Sequence, residues 1–180
     1  MLWLAVYRKL IQADRWARQG NWKNEGSFPL SRSVQNQKVG ILGLGRIGET
    51  IAKRAKAFEA EIHYHSRSQK DNDYHYHISP KELAKNVDVL FVITPGGNST
   101  KHLVDESVLK ALGKSGTLIN VSRGSVVDET ALIKALQTGT LGFAGLDVFE
   151  AEPIVPNELK SMENVVPVSY THLRAHETIL

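Results

Sequence analysis

The segment VGILGLGRIGETIAKRAKAFE, residues 39–59, combines the features that decide the fold. Val39 to Leu42 is an apolar run of strand length, and glycines at 43, 45 and 48 follow it directly. The stretch from Arg46 to Glu59 has a helical pattern. A strand that passes through a glycine-rich turn into a helix is typical of the first unit of a parallel α/β sheet.

The rest of the chain repeats this alternation of short apolar runs and helical patterns. Strands are predicted at residues 39–42, 61–65, 87–93, 117–121 and 143–148, and helices at 46–59, from 80 onward, at 108–112 and at 128–137. This alternation predicts an α/β fold with a doubly wound parallel sheet.

The N-terminal region differs from the sheet-forming part. Residues 2–19 carry one apolar stripe at helical spacing, so a single helix is predicted there. Its apolar face is wider than a lone surface helix needs, which indicates packing against something large. Residues 20–36 are rich in glycine and serine and predict a connecting loop. We expect a protruding connecting helix and a linker at 1–36 and a dinucleotide-binding domain at 37–166.

Composition restricts the class of protein. The 180 residues contain no cysteine, which excludes disulfides and thiolate metal sites, and the net charge is only +3. Acidic and basic residues are interspersed, so nucleic acid is not an expected partner. No run approaches the roughly 20 apolar residues of a membrane span. The positive charges at residues 8 and 9 follow the apolar start, unlike those of a secretory signal. We expect a cytoplasmic protein.

Gly43, Gly45 and Gly48 form the pattern G-x-G-x-x-G. In a dinucleotide site the first glycine permits the tight turn, the second lets the backbone approach a pyrophosphate, and the third brings helix and strand together. A tight packing turn without a ligand could have the same pattern. Because a predicted strand precedes it and a predicted helix follows, dinucleotide binding is favoured.

The turn after the second predicted strand indicates which dinucleotide is bound. An NAD site usually has an acidic residue there, whereas this chain has His65, Ser66, Arg67 and Ser68. A guanidinium and two hydroxyls suit a ribose 2′-phosphate, so NADP(H) is favoured over NAD(H). An ordinary solvated turn, or an arginine beside NAD, stays open as an alternative.

Further candidates follow later strands. Thr94 and Pro95 close the third strand, where backbone could lie against a ligand and Thr100 could bond to it; a plain turn would look the same. Arg123 follows a buried strand and could clamp a carboxylate while polarising an adjacent carbonyl; the alternative is a surface arginine beside a glycine turn. Glu152 could stabilise the cation of a neighbouring histidine, or it is a solvated loop acid. Asp147 lies in an apolar strand and needs a partner, for which a nicotinamide would serve.

Histidines at 63, 65, 75 and 77 alternate and suggest a metal site. Alternation along strand or loop edges explains them more simply, and no carboxylate or cysteine is seen to complete a ligand set. No metal is expected.

Four ordered segments, GILGLGRIG, PGGNST, LINVSRGSVVDE and AGLDVFEAEP, resemble the D-isomer-specific 2-hydroxyacid dehydrogenases. The resemblance runs from about residue 2 to Val166, and the YHSRS turn and PGG segment are most similar to the glyoxylate/hydroxypyruvate reductase branch. It implies a Rossmann-type fold and hydride transfer between a nicotinamide and a 2-oxo acid.

The resemblance also implies roles for individual residues. Arg123 would bind the substrate, and Glu152 would tune a catalytic histidine that protonates the oxygen. The residues predicted to bind the cofactor are Gly43, Gly45, Arg46, Ile47, Gly48, Ser66, Arg67, Ser68, Thr94, Pro95, Thr100, Val121, Ser122 and Asp147.

The chain departs from the family pattern at both ends. It starts at the helix that joins the two domains and packs across a dimer in the family, so most of the substrate domain is expected to be missing, and the intact protein is expected to be a homodimer. Where the family has Pro-His, this chain has Ser169 and Tyr170. Residues 168–178 resemble a translated sequencing adapter, which predicts a non-native tail over 167–180 and makes His172 an accidental match.

Two other functions stay open at this stage. The family includes non-catalytic NAD(H)-sensing corepressors, and it includes dehydrogenases that act on phosphoglycerate, formate or phosphite. Which 2-oxo acid would be reduced is not decided by these residues.

Overall fold

A computed structural model describes residues 1–168 of the chain. Over this range the strands form one parallel sheet of seven, in the order β3-β2-β1-β4-β5-β6-β7. The strands are β1 (Lys38–Leu42), β2 (Glu61–His65), β3 (His75–Tyr76), β4 (Val89–Val92), β5 (Thr117–Asn120), β6 (Phe143–Leu146) and β7 (Val165–Pro167). The predicted doubly wound α/β fold is confirmed.

Helices connect and flank the strands. They are α1 (Leu2–Tyr7), α2 (Leu10–Arg18), α3 (Asn21–Glu25), α4 (Arg46–Lys56), α5 (Pro80–Lys85), α6 (Glu106–Leu112), α7 (Glu129–Gln137) and α8 (Asn157–Ser161). Short 3₁₀ turns occupy Asn98–Thr100 and Gly124–Val126.

Both faces of the sheet are covered, and this explains why its strands are nearly continuous apolar runs. On one face, α1 and α4 contribute Val6 and Ala52 to a buried cluster. On the other face, α5, α6 and α7 contribute Leu83, Leu109 and Leu132 to a second cluster. Every residue of β4 is buried, as expected for a strand packed on both sides.

The predicted single helix over residues 2–19 is wrong, because the chain turns between α1 and α2. Lys9 has a left-handed backbone, with φ of 47°. In a continuous helix the carbonyl of Tyr7 would accept a hydrogen bond from residue 11. Here it accepts one from the backbone N–H of Arg32, at 3.1 Å. A contact with a residue far along the chain therefore ends α1.

Other differences from the sequence prediction involve short elements. The predicted loop over residues 20–36 contains the five-residue helix α3, so that prediction is wrong over this part. Strand β3 has only two residues and β7 three, which is too short to show a periodic pattern. The predicted strands and helices of the sheet region are otherwise present, with ends shifted by a few residues.

Helix α4 lies very close to the end of β1 because Gly48 has no side chain. A Cβ atom built on Gly48 would lie 2.6 Å from the carbonyl oxygen of Gly43, a distance that real Cβ atoms do not show. The contact is with backbone, so a rotamer change cannot relieve it. The third glycine of the motif therefore sets the position of the whole helix.

Replacing Gly48 with alanine should destabilise the fold. We expect Gly48→Ala to lower the free energy of unfolding by about 1–3 kcal/mol, the range for overpacking, in urea denaturation followed by circular dichroism. Gly45→Ala is the matched control, because a Cβ there meets no atom within 4 Å. Equal stability of the two variants would contradict the packing argument.

Candidate functional site

The glycine turn joins β1 to α4 at the carboxyl edge of the sheet. Gly43 has φ of 105°, a conformation that favours glycine, and a Cβ there would lie 3.0 Å from the backbone nitrogen of Thr94. Gly45 forms the N-cap of α4 and borders open space. The exposed side chains of Arg46 and Ile47 stand in the first turn. This open helix N-terminus has the geometry and the partial positive charge of a phosphate site.

The turn after β2 lies beside the glycine turn. The backbone N–H of Gly43 donates to the carbonyl of His65 at 2.9 Å, which fixes the two turns together. The Ser66 hydroxyl donates to the carbonyl of Ser68 at 2.7 Å, while the Arg67 side chain is exposed. Arg67 makes no ion pair with any residue in the range 1–168, so its guanidinium is available to a ligand.

Thr94 and Pro95 follow β4 next to Gly43. The hydroxyl of Thr94 is buried and has no hydrogen-bond partner among the described residues. A buried hydroxyl without a partner costs free energy, so a ligand that bonds to it fits this position. The hydroxyl of Thr100 instead donates to the carbonyl of Pro95 at 2.7 Å. Thr100 therefore closes the loop, and a ligand would meet only its oxygen lone pairs.

Asn120, the last residue of β5, organises the segment that carries Arg123. Its side-chain oxygen accepts from the backbone N–H and the hydroxyl of Ser122, at 3.1 and 2.9 Å. Its amide nitrogen donates to the carbonyl of Arg123 at 3.2 Å. Asn120 is 1% exposed, so these bonds form without competition from water.

The side chain of Arg123 lies flat against Gly96. A Cβ on Gly96 would be only 2.9 Å from Cγ of Arg123, so glycine is required for this contact. One guanidinium nitrogen donates to the carbonyl of Ser122 at 2.7 Å. No carboxylate within residues 1–168 forms an ion pair with Arg123. The guanidinium is therefore positioned but not neutralised.

The segment after β6 packs directly on the Arg123 segment. A Cβ on Gly124 would lie 1.9 Å from the carbonyl oxygen of Phe149, so the two backbones touch. Asp147 is buried, and its N–H donates to the carbonyl of Asn120 at 3.0 Å. Glu152 accepts from the N–H of Phe149 through Oε1, at 3.1 Å. The other oxygen of Glu152 makes no hydrogen bond to the described part of the chain.

His102 and neighbouring carboxylates form a group at this edge, and sequence reasoning missed it. Nε2 of His102 lies 2.8 Å from Glu150, and Nδ1 lies 3.9 Å from Asp128. The N–H of Glu150 donates to Glu129 at 3.1 Å, and burial raises the pKa of the Glu129 carboxyl. His102 is distant in sequence from Glu150, so no local pattern could have found the pair.

These segments enclose a cleft of about 760 Å³. The residues that line it are Ile47, Ile93, Thr94, Pro95, Gly96, Val121, Ser122, Arg123, Gly124, Ser125, Phe149, Glu150 and Glu152. Of the predicted site residues it thus gathers Ile47, Thr94, Pro95, Val121, Ser122, Arg123 and Glu152. The others are not in its lining. Gly43, Gly45, Arg46 and Gly48 form the turn into α4, Ser66 to Ser68 the turn after β2, Thr100 ends a 3₁₀ turn and Asp147 directly follows β6. The positions compared with the family's Pro-His pair, Ser169 and Tyr170, and also His172, lie outside the described residues.

The histidines at 63, 65, 75 and 77 are not in the lining of this cleft, and they lie on β2, on β3 or directly after β3. The premise that no carboxylate joins them is wrong. Oε1 of Glu61 lies 3.0 Å from Nε2 of His63 and 3.2 Å from Nε2 of His75. Sequence reasoning missed this contact because it depends on the register of β2 and β3.

With this geometry established, comparison with known proteins identifies the class. The family model of the D-isomer specific 2-hydroxyacid dehydrogenase, NAD binding domain, matches residues 1–171, and the chain belongs to this family. It therefore carries an NAD(P)-binding domain, and the resemblance seen in the sequence motifs is confirmed. Every helix within residues 1–168 is too short or too polar to cross a membrane.

Particular relatives are reductases of small acids. A glyoxylate/hydroxypyruvate reductase A of Arabidopsis thaliana is 52% identical over 164 residues, which cover 91% of this chain and 52% of the relative. A hydroxyphenylpyruvate reductase of Plectranthus scutellarioides is 49% identical with the same coverage. The crystal structure of an NADPH-dependent glyoxylate/hydroxypyruvate reductase of Sinorhizobium meliloti, in complex with NADP and malonate, superposes with a TM-score of 0.90 at 51% identity, covering 93% of this chain and 53% of that one. The chain thus spans about half the length of the curated relatives it matches.

Removal of the Asn120 side chain should destabilise the Arg123 segment. Asn120→Ala leaves the buried N–H of Ser122 without its acceptor, so we expect the free energy of unfolding to fall by about 1–3 kcal/mol in urea denaturation. Ser122→Ala is the matched control. It removes one donor but keeps the bond from the Ser122 N–H to Asn120, and its effect should be clearly smaller. A control that lost as much stability would argue against the assigned role of Asn120.

Proposed function

We propose that the protein carrying this chain is an oxidoreductase that uses NADPH to reduce a small 2-oxo acid of the glyoxylate or hydroxypyruvate type. The observation that carries the proposal is the Arg123 guanidinium. It lies in a cleft at the carboxyl ends of the strands, where α/β sheets bind ligands, and no carboxylate in residues 1–168 neutralises it. A carboxylate substrate fits such a group.

The cofactor would lie along the carboxyl edge of the sheet. Its pyrophosphate would meet Gly45, Arg46 and Ile47 at the N-terminus of α4, with Gly43 and Gly48 holding the turn. The unpartnered hydroxyl of Thr94 supports a ligand at this position. When bound, the cofactor supplies the hydride. Pro95, Val121 and Ser122 of the cleft lining would face the nicotinamide, with Thr100 and Asp147 in the neighbouring segments.

The adenosine end of the cofactor would lie on the turn after β2. Ser66, Arg67 and Ser68 lack the acidic residue that usually selects NAD, and the exposed guanidinium of Arg67 matches the charge of a 2′-phosphate. The NADPH dependence stated for the Sinorhizobium meliloti relative supports the same preference. We propose NADPH as the preferred cofactor on these two grounds.

Arg123 and Glu152 would act on the substrate side. Arg123 would hold the substrate carboxylate and draw electron density from the adjacent 2-oxo group, which favours hydride addition at that carbon. Glu152 has one oxygen fixed by the Phe149 N–H and one without a hydrogen bond to residues 1–168, so it could stabilise a protonated histidine placed beside it. That histidine would then protonate the new hydroxyl oxygen.

The names of the relatives support a reductase over a cofactor-sensing regulator. The substrates in these names also differ in the group attached to the 2-oxo carbon, which ranges from hydrogen in glyoxylate to a hydroxyphenylmethyl group in hydroxyphenylpyruvate. Arg123 recognises what these substrates share, the carboxylate and the 2-oxo group. The proposal therefore commits to the 2-oxo acid class.

We also propose that the intact protein is a homodimer that pairs through its N-terminal segment. No residue of α2 is buried, and its apolar side chains Leu10 and Ile11 are 58% and 42% exposed. Trp22 in α3 is 71% exposed. Apolar side chains grouped on one segment are typical of a protein–protein interface. Sedimentation of the full-length protein tests this association.

A cytoplasmic location stays a prediction from the sequence.

Replacement of Arg67 tests the cofactor preference. Arg67→Ala should weaken NADPH binding by about 1–3 kcal/mol, because a charge-assisted contact to the 2′-phosphate is lost, while NADH binding should not change. Isothermal titration calorimetry of the chain measures both. Arg46→Ala is the control: it lies at the pyrophosphate that both cofactors share, so it should weaken both equally. If Arg67→Ala also affected both equally, the assignment of the ribose site would be wrong.

Two matched substrates test the proposed reaction in the full-length gene product. Hydroxypyruvate should be reduced with consumption of NADPH, whereas hydroxyacetone, in which a methyl group replaces the carboxylate, should be a poor substrate. Arg123→Gln should lower kcat/KM for hydroxypyruvate by about 10²–10³-fold and leave the NADPH dissociation constant unchanged. Equal turnover of the two substrates by the unmodified protein would refute the role of Arg123.

A further inference from the structure

The edge of the sheet opposite β7 carries a cluster of histidines outside the proposed active site. His63 on β2 and His75 on β3 are direct partners in the parallel register. Glu61 lies two residues before His63, and alternate residues of a strand share one face of the sheet. The register of two strands thus brings Glu61, His63 and His75 together on one face.

Three ligand atoms converge within this cluster. Oε1 of Glu61 lies 3.0 Å from Nε2 of His63 and 3.2 Å from Nε2 of His75. One ligand atom from each of the three residues falls within 4.8 Å of the others. A tetrahedral zinc ion with bonds of about 2.0–2.2 Å separates its ligand atoms by a little more than 3 Å, so small side-chain shifts would complete such a site.

We propose that Glu61, His63 and His75 form a binding site for a divalent transition metal such as Zn²⁺. Two imidazoles and one carboxylate are a ligand set that zinc accepts, with water in the fourth position. The side chains of His75 and Glu61 are 60% and 46% exposed, so an ion can enter from solvent. This site is independent of the reductase function proposed above.

The hydrogen bonds behind His63 fit this role. Nδ1 of His63 lies 2.9 Å from Nε2 of His77, and Nδ1 of His77 lies 4.0 Å from Glu82. With a metal on Nε2, the proton of His63 occupies Nδ1 and is donated to His77, which in turn presents its own N–H toward Glu82. Metal-bound histidines usually donate their second N–H in this way.

The three ligand residues supply complementary chemistry. Metal-bound imidazole is neutral, so His63 and His75 bring no charge of their own. Glu61 then supplies the negative charge that offsets part of the charge of the ion.

A metal at this position would act as a clamp. Strand β3 has two residues and lies at the sheet edge, so few backbone bonds hold it to β2. The ion would join the two strands on either side of the loop at residues 66–74, which carries Ser66, Arg67 and Ser68. Closing a loop at its ends restricts the conformations available to it.

The test is Zn²⁺ titration of the tag-free chain after removal of metals with EDTA, by calorimetry, together with the absorption spectrum of added Co²⁺. We expect one Zn²⁺ per chain and Co²⁺ bands of a low-coordinate site. His75→Ala and Glu61→Gln alter exposed side chains, and each should weaken binding by at least about tenfold. His102→Gln is the matched control, a histidine that also has carboxylate neighbours, and its affinity should equal that of the unmodified chain.

Two results would overturn the site. One is the absence of stoichiometric Zn²⁺ binding by the unmodified chain. The other is binding that persists unchanged in both His75→Ala and Glu61→Gln, which would locate the ion elsewhere. Circular dichroism of each variant establishes that the fold is retained, and the isosteric Glu61→Gln keeps the test valid even where His75→Ala alters the edge strand.

Discussion

The parallel pairing of the strands is the constraint on which the rest of the structure depends. Parallel strands are joined by crossovers that return the chain to the starting edge, so every strand from β1 to β7 ends at the same edge of the sheet. Segments far apart in sequence, after β1, β2, β4, β5 and β6, are thereby brought into one row. The cleft beside Arg123 is a product of this topology, and its residues could not meet in an antiparallel meander.

Close backbone contacts then convert this row of loops into a shaped site. Gly48 lets α4 approach the carbonyl of Gly43, and Gly124 lets the Arg123 segment touch the backbone of Phe149. In both places a single methyl group would separate two segments that have to lie together. Asn120 adds hydrogen bonds to Ser122 and to the Arg123 carbonyl, so the backbone that carries the Arg123 side chain is held in place at the end of β5. Packing and hydrogen bonding therefore position the charge before any ligand is present.

Much of this arrangement could be predicted from the sequence, because long apolar runs and the glycine motif are local signals. The strand–turn–helix at residues 39–59 and the placement of Arg123 and Glu152 beside one cleft followed from such signals. What could not be predicted depends on contacts between distant residues. The end of α1 is set by the N–H of Arg32, and the pairing of Glu61 with His75 is set by the register of a two-residue strand. Likewise, His102 meets Glu150 only after the sheet has brought their loops together.

The contacts of Arg32 have a consequence for how the molecule unfolds. Its backbone N–H binds the carbonyl of Tyr7, its guanidinium lies over the rings of Tyr7 and Phe143, and one of its nitrogens donates to the carbonyl of Ser115. One residue thus connects α1, the entry to β5 and the start of β6. Helix α1 cannot leave the sheet without breaking these bonds together, so it belongs to the same cooperative unit as the strands. The hydrogen-bonded amides of α1 are therefore expected to exchange only when the sheet itself opens.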